Sequence, residues 1–73
     1  MTIAETRALI AEYEARLEEL GPLEGILARP TETLDDAIER TLLLGERRSL
    51  ERLLAAARSS LETLERTKGR SYQ

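Results

Sequence analysis

Two glutamates interrupt the apolar face of the second predicted helix. Glu39 and Glu46 lie seven residues apart and project onto the same row of a helix as Leu53. An unpaired carboxylate in apolar surroundings is costly, so each must reach water, a proton or a cation. Three interpretations follow: both stay hydrated where the helices separate, both pair with arginines of another chain, or both help to hold a metal or ligand. The first is favoured, because the leucine content falls toward this end of the helix. The third is the least favoured, because the glutamates of di-metal bundles are accompanied by histidines and this chain has none.

Three arginines of the same helix could bind an anion. Arg40, Arg47 and Arg58 project nearly along one line, on the side opposite the apolar face. Glutamates are interleaved with them, so we expect a solvated surface with weak ion pairs. The alternative is a groove that holds an anionic ligand, such as a nucleotide phosphate, between subunits.

Catalytic machinery is missing from the sequence. There is no histidine and no cysteine, so no imidazole base, thiolate nucleophile or usual zinc site is available. Ser49, Ser59 and Ser60 have no base to activate them, and no glycine-rich phosphate loop occurs. The sequence therefore predicts a protein that is not an enzyme and has no cofactor.

Charge and hydropathy bear on partners and location. The net charge of −3 does not suit a general nucleic-acid binder, which carries a basic excess. No run approaches the roughly 20 apolar residues of a membrane span, and the N-terminus lacks the pattern of a signal peptide. We expect a cytoplasmic protein of a bacterial or phage-infected cell, with no membrane partner.

The elements that position these residues are helices. Leu, Ala, Glu and Arg dominate the composition and valine is absent, which predicts an all-α fold. Thr2 and Glu5 form the pattern of a capping box, and Gly21-Pro22 is a stop signal, so the first helix spans about 3–20. Its apolar seam follows a heptad rhythm. The seam consists of Ile3, Thr6, Ile10, Tyr13, Leu17 and Leu20.

A connector and one long helix complete the predicted hairpin. The connector, 22–33, includes a possible helical turn, and Thr33 caps a helix over about 34–67. Gly45 could break this helix, but no N-cap follows it, so we expect the helix to continue. Residues 70–73 are predicted to be a frayed tail of the single helical domain 1–73.

The long helix predicts assembly. Its 34 or so residues reach about 51 Å against about 27 Å for the first helix, so we expect an unmatched half whose leucines need a partner. Its apolar residues span an arc of roughly 160°, which favours at least two neighbouring helices in a helical bundle or coiled-coil-like oligomer. The predicted interface residues are Leu42, Leu43, Leu50, Leu53, Leu54, Ala57, Leu61, Leu64, Ile10 and Leu17.

These observations favour a small interaction or assembly module. It would form a homo-oligomer, a dimer or a multiple of dimers, or dock on a larger protein through its leucine-rich face. The first alternative is an oligomeric protein that binds a small anion or nucleotide at a subunit interface. A helical DNA-binding regulator is the weaker alternative, since no helix-turn-helix pattern occurs.

Overall fold

Three helices make up the fold in the computed structural model, which describes residues 1–70 and the side chains of residues 1–67. They are α1 (Ile3–Leu20), α2 (Leu23–Leu27) and α3 (Leu34–Arg70), and the described residues contain no strand. The predicted all-α helical hairpin is confirmed. Residues 71–73 of the predicted frayed tail lie outside the described part of the chain, and Arg70 is the last residue of α3.

Local capping fixes the ends of α1. The amide of Glu5 donates to Oγ1 of Thr2, and the amide of Thr2 donates to Oε1 of Glu5, both at 3.1 Å, which is the predicted capping box. At the other end Gly21 has φ +80°, a conformation that L-residues rarely adopt, and its amide donates to the carbonyls of Leu17 and Glu18. The chain therefore leaves α1 at the predicted residue.

The long helix α3 runs without interruption. Its first turn is capped by Oγ1 of Thr33, which accepts a hydrogen bond from the amide of Asp36 at 3.1 Å. The helix continues through Gly45, as predicted, and spans 37 residues. The molecule is accordingly a rod of 61 × 18 × 15 Å. Its radius of gyration is 16.9 Å, against about 11 Å for a compact globule of this length.

The first helix packs antiparallel on the C-terminal half of α3. Arg7 lies 3.0 Å from Glu65, and Arg58 lies 3.6 Å from Glu14. The C-terminal end of α1 reaches Arg47, whose Nη1 donates to the carbonyl of Gly21 at 2.7 Å. The short helix α2 and the rest of the connector then run beside the N-terminal half of α3.

This register corrects the expectation about the unmatched half of α3. The leucines that were expected to need a partner are largely covered by α1, because the connector carries the chain back along α3 before α3 begins. Ile10, Leu54 and Ala57 form the core cluster, and Tyr13, Leu17 and Leu61 pack against it. Leu50 is also buried, and Ile26 of α2 is only 2% exposed.

Candidate interaction surface

The apolar arc of α3 divides into two parts that face different directions. One part faces α1. At about 100° per residue it recurs every three or four positions. It consists of Leu50, Leu54, Ala57, Leu61 and Leu64, all buried or half-buried within the chain, while Leu43 is half-buried before the level that α1 reaches. Within the single chain, these predicted interface residues, with Ile10 and Leu17 of α1, are covered rather than free, and their role between chains stays a prediction.

The other part of the arc has no cover from the chain itself. We call it the open stripe, and it is rotated by about 110° from the seam with α1. It consists of Leu34, Ile38, Leu42, Gly45, Ser49, Leu53, Ala56 and Ser60, all exposed. Among these, Leu42 is 67% exposed and Leu34 is 76% exposed. Two predicted interface residues, Leu42 and Leu53, lie on the open stripe.

The open stripe is long, and its centre is occupied by small residues. It runs from Leu34 to Ser60, a length of about 39 Å on a straight helix. Gly45 lies near its middle, and a side chain added there would meet no atom of the chain within 4 Å. A glycine inside a helix costs roughly 1 kcal/mol relative to alanine. Nothing within the described chain packs against Gly45 to offset that cost.

Both interrupting glutamates pair with arginines of their own chain. Glu46 accepts hydrogen bonds from Nε and Nη2 of Arg16, the second at 3.0 Å, and Glu39 accepts one from Arg29 at 2.9 Å. Both carboxylates also remain partly exposed, Glu46 at 38% and Glu39 at 61%, and pairing with arginines of the same chain was not among the sequence interpretations. Sequence reasoning missed both arginines because the register of α1 and the course of the connector bring them to α3.

The pair of Arg16 and Glu46 ties the C-terminal part of α1 to α3. Arg16 bridges Glu46 and Glu19, the latter at 2.9 Å. The hydrogen bonds from Arg16 hold the pKa of the Glu46 carboxyl below its usual value, and its pairing raises the pKa of Arg16. Both side chains remain more than a third exposed, so salt and water weaken the pair.

Lowering the pH should remove the stabilisation that the pair of Arg16 and Glu46 gives to the folded hairpin. The pKa of Glu46 is lowered by folding, so its stabilisation is complete above the unfolded value of about 4.3 and is lost as pH falls through the folded value. We expect Glu46→Gln to lower the urea midpoint at neutral pH, and the difference from the wild type to shrink below about pH 4. In an Arg16→Gln background, Glu46→Gln should have no such effect; an unchanged difference there would contradict the assignment.

The three arginines do not form the predicted solvated row. Arg47 is only 22% exposed, with Nη1 on the Gly21 carbonyl and Nε 3.2 Å from Glu51. Arg40 is half-buried, and its Nε has no hydrogen-bond partner among the described residues. Arg58 is the one that is well exposed, beside Glu14. Arg47 thus lies against the C-terminal end of α1 and beside α2.

One groove on the described surface lies beside Arg47. It is lined by Leu23 and Leu27 of α2 and by Leu44, Arg47, Arg48 and Glu51 of α3. An anion there would compete with Glu51 for Arg47. Within the described residues, no group of three or more acidic side chains could hold a metal ion, and no described helix is long and apolar enough to cross a membrane.

Comparison with known proteins adds no relative. No protein-family model, no curated protein and no solved structure matches the chain significantly. Function is therefore inferred from the surface of the hairpin.

Proposed function

We propose that this chain is a small helical assembly module that binds a second copy of itself through the open stripe. The observation that carries the proposal is the exposed row on α3 that carries Leu34, Ile38, Leu42 and Leu53, about 110° away from the seam that α1 covers. Single exposed leucines are normal on a protein surface, whereas a contiguous apolar row typically marks an interaction site.

The exposed area supports an interface of ordinary size. The chain exposes 5686 Å², while a compact monomer of 8.2 kDa would expose about 4,500 Å². The excess of about 1,200 Å² exceeds the roughly 800 Å² that each partner buries in a standard interface. A second copy could therefore bury an interface of standard size within this excess area.

The small core also favours a partner. Only five apolar residues of the described chain are buried, namely Ile10, Ile26, Leu50, Leu54 and Ala57. Chains of fewer than about 80 residues generally need a disulfide, a metal or association to gain stability. This chain has no cysteine and no histidine, so association is the remaining source of additional stability.

A second copy is preferred over a larger partner protein or a bound anion. Every copy brings the same stripe, so a two-fold symmetric contact covers two stripes at once and needs no further component. Two of the three arginines that could bind an anion already contact carboxylates or a carbonyl: Arg47 contacts Glu51 and Gly21, and Arg58 lies near Glu14. Docking on a larger protein would use the same stripe and is an outcome of the test.

Light scattering coupled to size-exclusion chromatography tests the proposal. At concentrations of tens of micromolar we expect the mass of a dimer, and dilution should shift the mass toward a monomer and lower the melting temperature. A folded monomer whose melting temperature does not depend on concentration would contradict self-association and would favour a larger partner.

A further inference from the structure

We infer that two copies of α3 pack antiparallel along the open stripe, with the two-fold axis near residue 47. The inference rests on the proposed self-association and specifies its geometry. Three features of the stripe carry it: the order of large and small residues, the uncovered glycine near its centre, and the uneven thickness of the hairpin.

The stripe carries large residues toward its N-terminal end and small residues at its C-terminal end, which suits an antiparallel contact. The stripe begins with Leu34, Ile38 and Leu42 and ends with Leu53, Ala56 and Ser60. In an antiparallel pair centred near residue 47, Leu34 faces Ser60 of the other copy and Ile38 faces its Ala56. Near the centre, Leu42 meets Leu53, which is a pair of two large residues. Toward both ends of the contact, large side chains face small ones and interdigitate without voids, which is the condition for close packing.

A parallel pair would pack worse. Each residue would face its own equivalent, so Leu34 would meet a second leucine and Ile38 a second isoleucine. Further along the stripe, Ala56 and Ser60 would face their own small equivalents across a gap. Voids of that kind forfeit packing energy.

Gly45 marks the place where the helices can approach most closely. It is exposed, and the space beside its Cα is empty within the chain. In the antiparallel arrangement it faces Ser49 of the other copy, so two small residues meet next to the two-fold axis. The absence of a side chain at Gly45 then has a function, since it lets the second backbone come near.

The thickness of the hairpin changes along the rod. The C-terminal half of α3 carries α1, whereas the N-terminal half carries only the five-residue helix α2 and the connector. An antiparallel pair places the two-helix half of one copy beside the thin half of the other. The helix dipoles of the two long helices then also oppose each other, which a parallel pair would not allow.

Engineered cysteines distinguish the two orientations, because the natural chain has none. Ile38→Cys and Ala56→Cys are prepared separately, then each alone and an equimolar mixture are refolded and oxidised. A disulfide needs Cα atoms within about 7 Å. In the antiparallel pair, the thiol introduced at position 38 lies beside the thiol introduced at position 56 of the other copy, whereas two position-38 thiols lie about 27 Å apart. We expect a covalent dimer from the mixture and none from either variant alone.

The outcomes separate this inference from the proposed function. A covalent dimer of Ile38→Cys alone, with the wild type dimeric by light scattering, would overturn the antiparallel geometry and leave self-association standing. A dimeric wild type without any cross-linking would also overturn the geometry. A monomeric wild type would overturn the proposed function, and the inference with it. Each cysteine variant is checked for dimer mass under reducing conditions, which excludes a variant that has lost association.

Discussion

Replacing Leu54 with alanine is expected to unfold most of the protein. Leu54 is 7% exposed and lies in the core cluster with Ile10 and Ala57. A buried leucine-to-alanine change costs about 2–5 kcal/mol, because apolar burial is lost and a cavity is left. Cores of chains this small rarely supply more than about 3–5 kcal/mol. Far-UV circular dichroism and urea denaturation should show a loss of helicity together with a sharply lowered midpoint.

The neighbouring residue provides a matched control. Leu53 undergoes the same chemical change but is 47% exposed on the open stripe, so Leu53→Ala should preserve the helicity of the hairpin. Its effect should fall on self-association instead. If both variants unfolded alike, or if Leu54→Ala were as helical and as stable as the wild type, the packing of α1 on α3 described above would be wrong.

Helix ends could be predicted from the sequence because local interactions determine them. Thr2, Glu5, Gly21 and Thr33 act on amides and carbonyls only two to four residues away, so their effect does not depend on the tertiary fold. The continuity of α3 through Gly45 is local in the same sense, since the flanking residues are strong helix formers. These predictions needed no knowledge of packing.

The register of the two long helices could not be predicted in the same way. It depends on the connector, which carries the chain from the level of Arg47 back to Leu34 instead of turning at once. That difference moves α1 from one half of α3 to the other. It explains why Leu54 was expected at an intermolecular interface, and why Arg16 was not recognised as the partner of Glu46. One feature of the sequence could have indicated this register: Arg47 continues the three- and four-residue spacing of the seam.

The apolar arc of α3 was correctly identified, but its division was not visible in the sequence. A helical wheel shows that Leu42 and Leu54 share an arc of roughly 160°. It does not show where within that arc the neighbouring helix lies. The position of α1 decides that Leu54 is covered and Leu42 is open. Two neighbours were expected for this arc, and the hairpin supplies one of them.

Replacing Leu42 with aspartate is expected to dissociate the proposed dimer and leave the hairpin folded. In the single chain Leu42 is 67% exposed, so a carboxylate there stays hydrated and should change the stability of the hairpin little. In the proposed dimer, the substituted side chain at position 42 would be buried in each of the two copies. Loss of leucine burial alone costs about 2 kcal/mol per copy. For two copies that is about 4 kcal/mol, or roughly a thousandfold in the dissociation constant.

The carboxylate adds to this effect, because an ion without a partner must be desolvated at the interface. Analytical ultracentrifugation over a range of concentrations measures the dissociation constant, and circular dichroism follows the helicity of the same samples. Leu23→Asp is the control: this leucine is 44% exposed on α2, away from the open stripe, and the variant should remain dimeric. A Leu42→Asp protein with the wild-type dissociation constant would show that the open stripe is not the surface through which the chain associates.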